Sequence, residues 1–254
     1  LLAGVLLSVS GIRLILLLDI STIILTVAVT WLVRKQLVSS PKKERRSMLE
    51  DFKAGFAIVY NHKGIWSLLL TISLMSFFFG TIQTLSGPMI LSFADSDYLG
   101  MALSISASGI LAVSLLLGLF SIKKDFHKIL CTALFFAGIF MAGFGSRENR
   151  ILICLFGFLF FAMLPFINMS LDYFIRVNVA KDAQGRVWGL IGIISQIGNV
   201  IAFAAIGQVA DVLFVPLLEK DGPLAGTVGA LIGVGKGRGF GFLIILSGVL
   251  LSLS

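Results

Sequence analysis

Apolar positions in this chain fall in long runs separated by short polar segments, and the runs reach the length of about 20 residues that a helix needs to cross a bilayer. Seven spans are predicted, at 12–33, 65–91, 98–120, 129–145, 150–171, 187–214 and from 239 into the end of the chain. Residues 1–8 read as the tail of an earlier span. The chain opens Leu1-Leu2-Ala3-Gly4 and stops within a run at Leu253-Ser254, so it reads as a piece of a longer protein. The fold class that follows is an all-α polytopic membrane protein.

The polar connector 34–64 carries a helix of its own. Ser47-Met48-Leu49-Glu50 has the spacing of a capping box, in which the serine and the glutamate each satisfy an orphan N–H. Leu49, Phe52, Phe56 and Val59/Tyr60 follow at steps of three and four, which lines one face, and Glu50, Asp51, Lys53 and Asn61 fall on the other. Gly64 is expected to end the helix. It is too short and too polar to cross, so it is expected to lie on the membrane surface or against the span ends. One reading is a tether coupling two helical bundles; the other is a spacer with some lipid affinity.

Composition changes the picture by exclusion. Hydrophobic residues make up 57% of the 254 positions and charged residues only 13%. Mean hydropathy is +1.03. Soluble domains carry about 25% charge, so a soluble globule is ruled out. Fourteen of the twenty Lys and Arg residues fall in alternate connectors, chiefly 34–64, and the bias places that connector in the cytoplasm. The same bias accounts for a pI near 9.7 without nucleic acid. His62 and His127 lie in polar loops while Cys131 and Cys154 lie inside apolar runs, so no disulfide, metal site or cofactor is predicted.

Polar residues inside spans are the functional candidates. Asp19 carries an insertion penalty of about 2.5–3.5 kcal/mol. Fourteen Leu, Ile and Val residues in the same span offset it at about 0.3–0.6 kcal/mol each. It is expected near Ser21 or Thr22, as a protonatable coupling site or as a buried acid bonded to a neighbouring helix. Asp172 and Arg176 form an i,i+4 pair in the favourable order, an interface anchor or a gate. Asn168 stands one turn earlier, after Pro165, which invites a kink. Gly189, Gly192, Ser195 and Gly198, with Ala202 beyond, let backbones approach closely. Gln196 and Asn199 lie near the middle of the same span. Gln83 and Thr84 precede Gly87-Pro88, which is expected to break or bend its helix. Singly each amide reads as interhelical glue; together they suggest a central polar cavity.

Two lookalikes fall away. Gly233-Val234-Gly235-Lys236-Gly237-Arg238-Gly239 has the look of a phosphate loop, but Ala230 and Gly237 stand where Gly and Ser/Thr are required. It is expected to be a flexible or re-entrant outer loop. No His, Cys and acid converge on one predicted face, so no enzyme is predicted.

Four stretches carry a family resemblance: Leu17-Leu18-Asp19-Ile20-Ser21-Thr22, Leu49-Glu50-Asp51-Phe52-Lys53-Ala54-Gly55-Phe56, Gln184-Gly185-Arg186-Val187-Trp188-Gly189-Leu190 with Ser195-Gln196, and Ala210-Asp211-Val212-Leu213-Phe214-Val215-Pro216-Leu217-Leu218. With them the chain resembles the second half of a major facilitator superfamily transporter, in the bacterial branch of macrolide-efflux and enterobactin-exporter-like proteins. The resemblance implies helices 6–12 of a twelve-helix fold. Residues 1–33 would then end an N-terminal bundle, 34–64 would link the halves, and 65–254 would be a C-terminal six-helix bundle truncated in its last helix. It implies alternating access driven by an ion gradient, usually protons, with the missing N-terminal half completing the substrate site. Gly185 would permit the cytoplasmic turn and Arg186 would anchor it. Ser121–Lys128 departs from the family's glycine–aspartate–arginine gating motif. The function expected is efflux of a hydrophobic or amphiphilic small molecule; the alternative is a non-transporting membrane scaffold or sensor, or an incomplete gene product.

Overall fold

The computed structural model describes residues 2–33, 48–120, 122, 124–181 and 183–254. Ser47 of the capping box, the basic residues from Arg34 to Arg46, and Lys123 lie outside the described residues. Secondary structure among the described residues is helical: α1 (Leu2–Val33), α2 (Met48–Asn61), α3 (Lys63–Leu91), α4 (Ser96–Leu119), α5 (Phe126–Ser146), α6 (Arg150–Asn178), α7 (Gln184–Leu217), α8 (Val228–Ile232) and α9 (Lys236–Leu253). Among these, the Leu16–Val33 part of α1, α3 to α7, and α9 are seven segments long and apolar enough to cross a membrane. The protein is an all-α, multi-pass membrane protein.

Local chemistry explains where the helices begin and end. The Asp95 carboxylate accepts from the Tyr98 backbone N–H at 2.9 Å, which starts α4. Asn149 accepts from the N–H groups of Ile151 and Leu152 at 2.9 and 3.2 Å, which starts α6. At its far end α6 runs on to Asn178 instead of stopping at 171, carrying the Asp172–Arg176 pair on its last turns. Residues 2–8 continue into α1 without a break, which corrects the expectation of a separate span: Ser8, Ser10 and Gly11 are weak breakers without proline. The break after α2 falls at His62, in an extended conformation (φ −116°, ψ 98°), and Gly64 lies inside α3. Pro88 and Pro165 both sit within helices that continue past them. Inside α7 the backbone widens into π-helical turns at Ala202–Ile206 and Ala210–Phe214.

The chain divides into two compact units, Leu1–Glu50 and Asp51–Ser254. In the first, α1 exposes its apolar side chains from Leu16 to Val33 all round, as a helix meant for lipid or helix neighbours does. The second is a bundle of α3 to α7 and α9, in which α4 packs on α6, α5 on α6 and α9, and α3 on α7 and α9, and it takes in nearly all of α2, which therefore belongs with the bundle. Its core is built by Phe78, Leu85 and Met89 of α3, Met141 of α5, Ile153 and Phe160 of α6, and Ile244 and Leu251 of α9. A smaller cluster joins Val59 of α2, Ile65 and Leu69 of α3, Ile175 of α6, Val179 and Ala183 of the following turn, and Val187 and Leu190 of α7. Phe126 stacks on Tyr173 at 3.9 Å and 13°. Those contacts bring α2, the α4–α5 turn and the α6–α7 turn to one end of the bundle.

The opposite end is tied by an ion pair that the sequence reading did not anticipate. Arg238, 1% exposed, donates from Nε to Glu148 Oε1 at 2.9 Å and from Nη1 to the Ile232 carbonyl at 3.1 Å. The Gly235 N–H donates to the Leu218 carbonyl at 2.8 Å, with Gly233 and Gly235 at φ 98° and 133°. The glycine-rich segment thus forms a fastened turn, and its glycines supply left-handed backbone rather than a phosphate cradle.

Candidate functional site

A cavity of about 720 Å³ opens between α3, α4 and α6. Its walls are mostly apolar, with Met75 and Phe79 from α3, Ile110 and Leu117 from α4, and Leu164 and Met169 from α6. Three neutral polar side chains punctuate them: Ser76, Ser114 and Asn168. Pro165 lies in the wall, so α6 lacks one backbone donor one turn from Asn168. Few polar groups in an apolar hollow is the usual make-up of a small-molecule site.

A second hollow of about 450 Å³ lies between α3, α6 and α7, and shares Asn168 and Met169 with the first. It adds Ile72, Asp172, Trp188 and Ile191. Asp172 Oδ2 meets Arg176 Nε at 2.7 Å, with Arg176 67% exposed, so the pair is a hydrated one at the bundle end. The Gln184 amide reaches back to the carbonyls of Arg176 and Val179, both at 3.2 Å, and closes the C-terminus of α6.

The structure brings Asn168 and Asp172 together and keeps the other amides apart from them. Gln196 Oε1 accepts from Asn199 Nδ2 at 3.0 Å on α7. Asn199 Oδ1 is buried against α3, near Gly80, and has no hydrogen-bond partner among the described residues. Gln83 is exposed and lines neither hollow. The polar contribution expected from several amides comes instead from Asn168 with Ser76 and Ser114. Within α1, Asp19 is exposed, and the Ser21 and Thr22 hydroxyls donate to the carbonyls of Leu18 and Asp19, both at 2.8 Å. Those hydroxyls are committed to the helix backbone.

Gly185 occupies the second position of α7 in helical conformation with open space around it, so its freedom does not make the turn. The turn is made by Ala180, whose carbonyl accepts from the N–H groups of Ala183 and Gln184. Arg186 instead offers its backbone as a seat: a Cβ on Gly55 of α2 would stand 3.2 Å from the Arg186 carbonyl oxygen. Among the described residues no group of three or more His, Cys, Asp and Glu gathers as a metal site.

The glycines of α7 fall into two sets. A Cβ on Gly198 would lie 2.6 Å from the Ser73 carbonyl of α3, whereas Gly189 and Gly192 have nothing within 4 Å of that position. The stripe read from the sequence as one packing face therefore packs within the bundle only at its far end.

Helices long and apolar enough to cross a membrane, packed in a bundle with an apolar hollow opening between three of them, make a multi-pass membrane protein with a candidate small-molecule site. The family model of the Major Facilitator Superfamily matches residues 1–203, and the chain belongs to that superfamily of membrane transporters. No curated protein and no solved structure matches it.

Proposed function

We propose that this chain is the C-terminal part of a proton-driven exporter that moves a hydrophobic or amphiphilic small molecule by alternating access. It sits in a bacterial inner membrane with the 34–64 connector in the cytoplasm and belongs to the macrolide-efflux and enterobactin-exporter-like branch. The single observation that carries the reading is the apolar hollow around Asn168, whose polar groups are all neutral. It is supported by the open face of α7. Glycine in a helix is less favourable than alanine by about 0.8–1.0 kcal/mol, so Gly189 and Gly192 without neighbours make sense as the seat of another helical bundle. In this reading residues 1–33 end the partner bundle, 65–254 form the C-terminal six-helix bundle, and Asp19, Gln83, Asp172, Gln196 and Asn199 line the path or couple it to protons. Arg176 and Arg186 hold its cytoplasmic margin.

The test is efflux of a preloaded lipophilic dye from cells carrying the complete gene. Efflux is expected to stop when a protonophore collapses the gradient, and Asn168→Ala is expected to slow it about fivefold to tenfold, the worth of one hydrogen bond. Efflux that persists after collapse would refute the proton drive.

A further inference from the structure

The connector helix α2 has two faces, and they are not the two that its sequence suggests. Gly55 and Val59 are buried, the first against the Arg186 backbone and the second in the cluster with Ile65 and Val187. Phe52, Phe56 and Tyr60 recur at i, i+4 and i+8 and stay 41%, 40% and 70% exposed. Lys53, expected on a separate polar face, shares theirs, and with Ala57 the four line an open groove of about 520 Å³. Phe56 and Tyr60 stack at 6.2 Å, and Trp66 at the start of α3 meets Phe56 edge-on at 6.2 Å.

The position of this groove is set by the spans. α2 passes through the single residue His62 into α3, whose 29 residues rise about 43 Å. That exceeds the hydrocarbon thickness of about 30 Å, so the Lys63 end stands among headgroups. Arg186, the seat of Gly55, is likewise at the start of a span. α2 is therefore held at headgroup depth, where aromatic rings are at home and a lysine meets phosphate.

We propose that the outer face of α2 binds an anionic phospholipid, with the Lys53 ammonium taking the headgroup phosphate and Phe52, Phe56 and Tyr60 flanking the upper acyl chain. Charge complementarity selects that occupant. Lys53 is the one charged side chain among the residues lining the groove. The site does not depend on what the protein transports or in which direction.

Trp66 reports on it directly. In the chain carrying Trp31→Phe and Trp188→Phe, reconstituted in vesicles, Trp66 emission is expected to be quenched by brominated phosphatidylglycerol at about one fifth the mole fraction needed with brominated phosphatidylcholine. Lys53→Gln is expected to erase the preference and Lys53→Arg to keep it; both are exposed-site changes, and unchanged circular dichroism confirms the fold. Equal quenching by the two lipids, or a preference untouched by Lys53→Gln, would overturn the proposal. Protection of Trp66 that grows with protein concentration whatever the lipid would also overturn it, assigning the face to a second copy of the chain.

Discussion

The seam between α5 and α9 and the open face of α7 use the same residue for opposite ends. Along the seam glycines face backbone on both sides. A Cβ on Gly248 would lie 2.5 Å from the Ala142 nitrogen and 2.6 Å from the Gly138 carbonyl, and one on Gly241 would lie 2.7 Å from the Gly145 carbonyl. Gly138 and Gly145 meet Ser252 and Gly241 in return. Lipid tails are as apolar as leucine, so helices in a bilayer associate through such close approach. On α7, Gly185, Gly189 and Gly192 meet nothing. The difference separates glycines that build this bundle from glycines that pack against nothing within it.

The largest effect should come from the seam. Gly248→Leu places a branched side chain where even a methyl group would collide with the backbone of α5, so α5 and α9 must separate. We expect a loss of about 3 kcal/mol or more, seen as loss of monodisperse protein in detergent. Near wild-type yield would mean that the seam is not what holds these helices, and the contrast with α7 would fail.

The Arg238 end of the seam offers a smaller effect. Arg238→Met removes the guanidinium that joins Glu148, at the α5–α6 turn, to the Ile232 carbonyl. Glu148 is 37% exposed and rehydrates, so the cost is expected at about 1–3 kcal/mol rather than that of a stranded buried charge. Thermal unfolding of the single and double variants with Glu148→Gln checks it. If the pair is the cause, Glu148→Gln should add little once Arg238 is gone; additive losses would show independent roles.

What the sequence reveals and what it hides divide along the same line. Hydropathy and length are local, so the spans and the all-α class could be read directly; most ends moved by about one turn or less, and the larger changes are residues 2–11, which join α1, and 172–178, which carry the Asp172–Arg176 pair and extend α6. The pairing of Asn168 with Asp172 was legible because they lie one turn apart. Arg238 and Glu148 are 90 residues apart, and only the fold brings them together. Ser76 and Ser114 look like ordinary small polar residues until α3, α4 and α6 enclose a hollow. Spacing likewise presents Gly189, Gly192 and Gly198 as one stripe, because periodicity identifies a face and says nothing of what stands opposite it.

The smallest expected change in stability is the most informative. Gly192 and Gly198 lie on one helix, fewer than two turns apart. Gly198→Leu must push α7 off the Ser73 carbonyl and should cost folded protein, as the seam variant does. Gly192→Leu enters open space, gains helix propensity, and should leave the folding stability within about 0.5 kcal/mol of the parent, read from thermal unfolding. If the partner bundle closes on that face during transport, the leucine occupies the path of closure, and dye efflux should fall at least about tenfold while folded yield is unchanged. Normal efflux from Gly192→Leu would remove the docking role from the α7 face. A fall in folded yield would instead show that a helix already packs there before any transport cycle begins.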